Sequence, residues 1–238
     1  MLEVRNIHTY YGPSHVLQGV SLHIDRGEIV TLIGRNGAGK TTTLKSIMAI
    51  TPPRQGEISF LGETLRGLET HRIARRGIAF VPEERRIFPN LTVDENLRLG
   101  LLKNKGRGDA KARERELVER VLGYFPRLRA RLRQEGRSLS GGEQQMLAIA
   151  RALVSEPVLM LIDEPTEGLM PILVKGIEDI LVRLNAAGVT ILLVEQNVKM
   201  ALSISHRAYV IDQGQIHFEG TANDVLADRE LQRRYLAV

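Results

Sequence analysis

One glycine-rich segment, Gly34-Arg-Asn-Gly-Ala-Gly39-Lys40-Thr41, narrows the range of possible folds more than any other part of the sequence. It follows a segment that predicts a strand, Glu28 to Ile33, and precedes a predicted helix, Thr42 to Ala49. Glycines let such a loop curl until successive backbone N–H groups face a phosphate, and the helix N-terminus adds partial positive charge. The pattern G-x-x-x-x-G-K-[ST] therefore predicts a nucleotide-phosphate site, where Lys40 reaches the β- and γ-phosphates and the Thr41 hydroxyl binds Mg²⁺.

A second motif, Val158-Leu-Met-Leu-Ile-Asp163-Glu164, is an apolar strand that ends in two acids. At the carboxyl edge of a parallel sheet, Asp163 can hold the Mg²⁺ shell. Glu164 comes next and is suited to orienting or deprotonating an attacking water. The alternative is that the two acids only cap the following helix. Together the two motifs predict a magnesium-dependent nucleotide hydrolase and leave a kinase or a GTPase open.

Short β-branched segments alternate with helical ones along most of the chain, which predicts an α/β fold with a largely parallel sheet. Residues 84–156 differ, because no strand pattern occurs from Thr92 to about Ser155. Thr92-Val-Asp-Glu95 has capping-box spacing, which predicts a helix start. The predicted strands of the main sheet are Glu28 to Ile33, Ile78 to Val81, Val158 to Ile162, Val189 to Val194 and Ala208 to Ile211, and the last of these forms a hairpin with Gln215 to Glu219. A small antiparallel sheet is predicted from Leu2 to Ile7, Val20 to Ile24 and Ile58 to Leu61. In the helical part, one apolar stripe comprises Leu117, Val118, Val121, Leu122 and Phe125.

Composition excludes several classes of protein. The 238 residues contain no cysteine, so disulfides, thiolate zinc sites and a cysteine nucleophile are excluded. The N-terminus has no apolar core of a signal peptide, and the apolar runs fall far short of the roughly 20 residues of a spanning helix. We therefore expect any tie to a membrane to run through a partner. The net charge is +5, but the basic segments 103–115 and 127–137 lack interleaved aromatic residues, so we interpret them as solvated helical faces and expect no nucleic-acid partner.

A third motif, Leu139-Ser140-Gly141-Gly142-Glu143, lies between the other two. Taken alone, this motif is explained equally well as the N-terminal cap of a helix. In this order of motifs it closely resembles the LSGGQ signature of ABC ATPases, and the resemblance covers the whole chain, from Met1 to Val238. It implies a P-loop NTPase core at 1–83 and 157–238, with an antiparallel β accessory sheet and an inserted helical signature subdomain at 84–156.

The resemblance also implies how the nucleotide is bound. In that family two ATPase domains pair head to tail, and each signature covers the γ-phosphate held by the opposite P-loop. Ser140 and Gly142 would then act in trans, and Tyr11 would stack on adenine, unless Tyr11 is a surface residue without such a role. The motifs and the resemblance together predict ATP contacts at Tyr11, Val16, Gly34, Asn36, Gly37, Ala38, Gly39, Lys40, Thr41, Thr42, Ser140, Gly141, Gly142 and Glu143. They predict Mg²⁺ contacts at Thr41, Asp163 and Glu83, and catalysis by Glu164, Lys40 and Gln196.

Three positions depart from the general family pattern. Val81-Pro82-Glu83 has Glu where most relatives carry Gln, Thr166 to Pro171 lacks the usual Asp, and Glu195-Gln196-Asn197 replaces the switch His. Gln196 can hydrogen-bond a γ-phosphate or water, but it cannot titrate near neutral pH. Glu164 is therefore the expected catalytic carboxylate. Glu83 has two open roles, as a Mg²⁺ contact or as part of a hinge to the helical subdomain.

These departures resemble one ATPase subunit of branched-chain amino acid importers, whose relatives energise urea or short-amide uptake. The resemblance implies a second ATPase subunit, identical or different, permease subunits, a solute-binding protein as an indirect partner, and a peripheral position on the cytoplasmic face of the cell membrane. The family docks the permease at the segment Glu83 to Leu101, with Phe88, Pro89 and Leu91. Burial of Phe88 and Leu91 inside the helical subdomain is the alternative.

Two rival classes fit the sequence less well. A soluble ABC ATPase that acts on DNA would carry a long coiled coil between loop and signature, yet only 100 residues separate Lys40 from Ser140. One that acts on ribosomes would carry two cassettes in one chain. A catalytically dead regulator is disfavoured because Lys40, Asp163 and Glu164 are all present.

Overall fold

The computed structural model describes residues 1–101 and 110–236, and it arranges their strands in two sheets. The strands are β1 (Leu2–Tyr11), β2 (Ser14–Ile24), β3 (Ile29–Ile33), β4 (Gln55–Phe60), β5 (Glu63–Thr64), β6 (Ile78–Val81), β7 (Leu159–Asp163), β8 (Thr190–Glu195), β9 (Arg207–Asp212) and β10 (Gln215–Thr221). The helices are α1 (Lys40–Ile47), α2 (Thr70–Arg75), α3 (Val93–Leu99), α4 (Ala110–Leu122), α5 (Pro126–Arg129), α6 (Gly141–Leu153), α7 (Pro171–Ala186), α8 (Val198–Ile204), α9 (Ala222–Ala227) and α10 (Arg229–Leu231), with a 3₁₀ turn at Gly136–Ser138 and a π-helical turn at Gln232–Leu236.

The six-stranded sheet has the order β10-β9-β3-β8-β7-β6. Strands β9, β3, β8, β7 and β6 run parallel to one another. Strand β10 is antiparallel and forms a hairpin with β9. Alternate residues of these strands enter two separate hydrophobic clusters, one on each face: Ile191 and Leu193 pack on one side, Leu192 and Val194 on the other. Burial on both faces explains the continuous apolar runs in the sequence, and the predicted α/β fold with a largely parallel sheet is confirmed.

Strand register brings the functional loops together. Ile33 pairs with Glu195, and Asp163 pairs with Val194. Strands β3, β7 and β8 therefore end at the same height, and the loops that follow them emerge side by side. The carboxyl edge of a parallel sheet is where ligands of this fold class bind.

The smaller sheet has the order β2-β1-β4-β5 and is antiparallel throughout. The predicted antiparallel accessory sheet is confirmed, although β1 and β2 are longer than expected and reach a tight turn at Tyr11 and Ser14. The sequence did not predict the two-residue strand β5. The predicted hairpin after β9 is also confirmed, and its turn uses positive φ at Gln213 (47°) and Gly214 (77°).

The described residues between β6 and β7 form helices and no named strand. Helix α3 begins after Thr92, whose side chain and that of Glu95 form the predicted capping box. The predicted apolar stripe from Leu117 to Phe125 is buried in the cluster that covers one face of the main sheet. Part of the basic segment 103–115, residues 103–109, lies outside the described residues, and the exact limits of the helical subdomain, 84 and 156, stay a prediction. No helix within 1–101 and 110–236 is long and apolar enough to cross a membrane.

Candidate active site

The loop between β3 and α1 borders a cavity of about 450 Å³ at the carboxyl edge of the main sheet. Half of the predicted ATP contacts line it, and acidic residues from two other loops, β6–α3 and β7–α7, complete the wall. The lining comprises Val16, Asn36, Gly37, Gly39, Lys40, Thr41, Thr42, Glu83, Glu164 and Glu167. The structure therefore joins the glycine-rich loop to Glu164, as the two motifs predict.

Backbone geometry explains why glycines occupy this loop. Gly37 and Gly39 have φ of 77° and 110°, in the left-handed region that side chains disfavour. Gly34 does not line the cavity; a Cβ there would lie 2.1 Å from the carbonyl oxygen of Ile211. Ala38 is buried, and its carbonyl accepts a hydrogen bond from Gly214 N at 2.9 Å. Gly34 and Ala38 thus fix the loop against the β9–β10 hairpin.

Lys40 has its ammonium group at the centre of the loop. Its Nζ donates to the carbonyl oxygens of Gly34 (2.9 Å) and Arg35 (3.1 Å), and it lies 3.2 Å from Glu164 Oε1. The Lys40 side chain is 4% exposed and that of Glu164 is 9% exposed. Glu164 has a φ of 42°, and its N–H donates to Val194 O at 2.9 Å. The chain therefore turns directly after β7, and the Glu164 side chain reaches Lys40.

Thr41 and Asp163, the two residues that the motifs predict to bind magnesium, lie side by side. The Thr41 hydroxyl donates to Asp163 Oδ1 at 3.0 Å. Burial raises the pKa of Asp163 to about 7, the negative charges of Glu164 and Glu83 add to this effect, and the Thr41 hydrogen bond opposes it. A hydroxyl and a carboxylate are hard oxygen ligands, and Mg²⁺ binds few protein groups alongside phosphate oxygens. These residues fit Mg²⁺, although within the described ranges no three His, Asp or Glu side chains are grouped to hold a metal by themselves.

Glu83 and Glu167 are neighbours in the lining of this cavity. The pKa of Glu83 is raised, first because its carboxyl hydrogen-bonds that of Glu167, then by burial and by the Glu167 charge. Both residues line the cavity with Lys40 and Thr41. This part of the lining is therefore acidic, and a cation would relieve the repulsion between these two side chains.

Gln196 lies beside Glu164 in a neighbouring cavity of about 570 Å³. Glu195 is the residue that positions it. Glu195 is 2% exposed; its Oε1 accepts from Thr166 N (3.0 Å) and Thr166 Oγ1 (2.7 Å), and its Oε2 accepts from the N–H groups of Gln196 (3.0 Å) and Asn197 (3.1 Å). Burial raises the pKa of Glu195, and these four bonds oppose the rise. The motifs did not predict this role, and the only sequence signal for it is a charged residue at the end of an apolar strand.

The signature begins helix α6. Ser140 is its N-cap and forms a capping box with Glu143. None of Ser140 to Glu143 is among the described residues that line the loop's cavity, so within one chain the structure does not bring the signature to Lys40. Gly142 is buried in α6, where a Cβ would lie 2.6 Å from Leu173.

Tyr11 lies at the end of β1 and is 45% exposed. Its hydroxyl accepts a weak hydrogen bond from Thr51 Oγ1 at 3.4 Å. Val16, on the other arm of the same hairpin, reaches the cavity wall, whereas Tyr11 does not line it. The Tyr11 ring is therefore accessible at the surface, and its contact with adenine stays a prediction.

A groove of about 360 Å³ lies beside the predicted docking segment. Phe88 is 50% exposed there, Leu91 is only partly covered and Pro89 is exposed. Arg151 lies against the Phe88 ring, with its Cζ 5.5 Å from the ring centroid, and donates to Arg86 O at 2.7 Å. Its Nη1 is buried and has no hydrogen-bond partner in the part of the chain described. Burial of Phe88, the alternative interpretation, is therefore wrong.

Comparison with known proteins agrees with these three motifs. The family described as "ABC transporter" matches residues 17–167. BraG of Pseudomonas aeruginosa, a high-affinity branched-chain amino acid transport ATP-binding protein, is 44% identical over 99% of both chains. The lipopolysaccharide export ATP-binding protein LptB of Escherichia coli K12 is 38% identical over 99% of this chain and 96% of its own. A dimeric, post-hydrolysis structure of the cassette MJ0796 bound to ADP and Pi covers 93% of this chain and 99% of its own, with 28% identity and a TM-score of 0.80.

The family model matches more than half of the chain, and BraG is similar to it from end to end. The chain belongs to the ABC transporter family, as one of its ATP-hydrolysing cassettes.

Proposed function

We propose that this chain hydrolyses Mg²⁺-ATP to power a membrane importer of branched-chain amino acids. The proposal for hydrolysis depends on one observation. Four side chains lie together at one edge of the main sheet: Lys40, Thr41, Asp163 and Glu164. The proposal for the cargo depends on the end-to-end likeness to BraG.

The loop residues would receive the phosphates of ATP. Backbone N–H groups of residues 36–41 and the N-terminus of α1 supply positive potential. Lys40 would give up its contacts with the loop carbonyls and Glu164 and bind the β- and γ-phosphate oxygens instead. Thr41 and Asp163 would hold Mg²⁺, which when bound neutralises charge on those oxygens.

Glu164 would orient the attacking water and take one of its protons. As the water oxygen bonds to the γ-phosphorus, the bond between that phosphorus and the bridging oxygen of ADP breaks. Glu195 supports this step indirectly, because it ties the loop that carries Glu164 to the backbone of Gln196. Gln196 would hydrogen-bond the γ-phosphate or the water without changing its charge.

A second ATPase subunit would complete the site. Ser140 and Gly142 would reach the γ-phosphate held by the partner subunit. The separation of the signature from the loop's own cavity supports this arrangement, as does the dimeric form of the similar cassette MJ0796. A monomer would then be a poor ATPase.

The groove at Phe88 would take a cytoplasmic helix of the permease. An exposed aromatic ring beside a partly apolar groove suits an inserted helix. Arg151 Nη1, which has no hydrogen-bond partner among residues 1–101 and 110–236, offers a donor to the carbonyl or carboxylate groups of that helix. The permease would hold the chain at the cytoplasmic face of the membrane, and a solute-binding protein would deliver the cargo.

One other cargo and the opposite direction of transport compete with import of branched-chain amino acids. Urea or a short amide follows from the subgroup resemblance, and export follows from the 38% identity to LptB. All three use the same ATPase chemistry, because the cassette does not contact the transported solute.

Uptake measurements separate these cargoes. Labelled leucine and labelled urea are supplied in parallel to cells that lack only this chain. Loss of leucine uptake, restored by the native chain and by Lys175→Ala but not by Lys40→Ala, supports the proposal. Lys175 is an exposed lysine of α7, so its substitution controls for loss of positive charge. Loss of urea uptake alone, or retention of both, contradicts the proposed cargo.

A further inference from the structure

We propose that Arg131 is a positioning residue for hydrolysis, because its ion pair with Glu143 neutralises a carboxylate that would otherwise repel the partner subunit's γ-phosphate from Ser140. The inference rests on the proposed pairing of signature and loop in trans. It concerns a residue that none of the three motifs contains.

The geometry around Ser140 carries the inference. Glu143 Oε2 accepts hydrogen bonds from Ser140 N and Ser140 Oγ, both at 2.9 Å. Arg131 Nε lies 2.8 Å from the other oxygen, Glu143 Oε1. The Glu143 side chain is largely buried, with 11% of it exposed. One carboxylate thus connects the guanidinium of Arg131 to the hydroxyl of Ser140.

This carboxylate stands in the signature itself, where the family motif LSGGQ has an uncharged glutamine. A phosphate that approaches the N-terminus of α6 is attracted by the helix dipole but meets the charge of Glu143 within the same turn. Ser140 has a single hydroxyl proton, and Glu143 competes with the phosphate for it. An adjacent guanidinium weakens both effects, because the pair carries no net charge.

Arg131 is held in place independently of the nucleotide core. Its Nη1 donates to Gln134 Oε1 at 2.9 Å. The turn that carries both residues is bonded to the start of α3, through Val93 N to Gln134 O (2.9 Å) and Asp94 N to Leu132 O (3.1 Å). The guanidinium therefore occupies its position before any nucleotide arrives.

The ionised state of Glu143 agrees with this arrangement. Burial would raise the pKa of Glu143, but the hydrogen bonds from Ser140 and the charges of Arg131 and Arg127 together lower it. Glu143 is thus a carboxylate that needs a cation, and Arg131 is the one in direct contact.

The test compares four purified chains: wild type, Arg131→Ala, Glu143→Gln and the double variant. ATP turnover is measured at protein concentrations that permit pairing, with the melting temperature and the Kd of ATP for the monomer alongside. We expect Arg131→Ala to lower kcat about tenfold or more, and Glu143→Gln in the same chain to restore it to within about twofold. Glu143→Gln alone should stay near wild type.

Two measurements separate this role from a general structural one. Arg129→Ala is the matched control, because Arg129 is an exposed neighbour paired with Glu119 at 2.8 Å. The monomer Kd for ATP should be unchanged in all variants, since the signature acts in trans. A full kcat in Arg131→Ala, or a double variant as slow as Arg131→Ala, overturns the inference.

The pairing itself is tested in the Glu164→Gln background. If that chain associates with ATP and adding Arg131→Ala prevents the association, the inference is supported. If Glu164→Gln chains do not associate even with Arg131 intact, the proposed trans pairing has failed, and this result is distinguishable from a failure of Arg131 alone.

Discussion

Lys40 Nζ lies 3.2 Å from Glu164 Oε1, and both side chains are nearly buried. The cation that should bind the γ-phosphate and the carboxylate that should activate water are therefore paired with each other before nucleotide binds. A γ-phosphate must compete with Glu164 for Lys40. The same competition frees the carboxylate to bind water once the phosphate is in place.

Glu164→Gln is expected to abolish turnover while preserving ATP binding. The amide cannot take a proton from water, and general-base catalysis contributes about 100-fold or more to such reactions. The substitution also weakens the hold on Lys40, so ATP affinity should be equal or higher. Phosphate release and ATP-dependent dimerisation by gel filtration measure the two effects.

Glu57→Gln is the control for this variant, because Glu57 is an exposed carboxylate on β4. It should leave turnover and dimerisation unchanged. If Glu164→Gln turned over ATP at the wild-type rate, Glu164 would not be the catalytic base.

Asp163→Asn is expected to stabilise the nucleotide-free, Mg²⁺-free chain at alkaline pH. Burial first, and then neighbouring carboxylates, raise the pKa of Asp163 in the folded chain to about 7 from 3.8. The folded state therefore retains a proton that the unfolded chain has lost, and the stability from this group, complete below about pH 4, is lost as pH rises through 7. Asn has no such dependence and can still accept from Thr41.

The gap in melting temperature between Asp163→Asn and wild type should accordingly widen from pH 4 to pH 8, by about 5 °C or more. Asp179→Asn provides the control, because this exposed residue of α7 loses the same charge. A gap that is constant over the pH range would contradict a raised pKa for Asp163.

The sequence predicted those parts of the fold and site that depend on local patterns. The strands of the main sheet are continuous apolar runs because both faces are buried, and the loop before α1 needs glycine at Gly37 and Gly39 for its positive φ. The start of α3 followed from the capping spacing of Thr92 and Glu95.

Other contacts join residues that are distant in the chain, and no local pattern predicts them. Glu195 bonds Thr166 because β7 and β8 are neighbours in register. Arg131 reaches Glu143 because a turn after α5 folds back on α6. Such pairs depend on tertiary packing, which a single sequence does not specify by spacing.

Tyr11→Ala is expected to weaken ATP binding by about 1–3 kcal/mol if the ring stacks on adenine, whereas Tyr11→Phe should retain affinity. Tyr10→Ala is the matched control. The Tyr10 ring stacks on His15 (4.2 Å between centroids) and lies under Arg54, so its loss should lower the melting temperature and leave the affinity unchanged. Equal ATP affinity in Tyr11→Ala and wild type, measured by titration calorimetry, would refute the adenine role.

Phe88→Ala is expected to uncouple the ATPase from its permease without impairing ATP turnover by the isolated chain. The Phe88 ring is half exposed, lies far in sequence from the glycine-rich loop and contacts Arg151. Aromatic anchors of this kind often contribute about 2 kcal/mol or more to an interface. Co-purification of the permease with the tagged chain, and uptake by complemented cells, measure the loss.

Leu226→Ala controls for the removal of an exposed apolar side chain, because Leu226 is 46% exposed on α9, outside the groove. It should retain both the permease and uptake. If Phe88→Ala also retained them, the docking surface would lie elsewhere on the chain. If Phe88→Ala lost ATP turnover as well, the ring would instead support the fold of the helical region, since a pure docking contact has no part in hydrolysis by the free subunit.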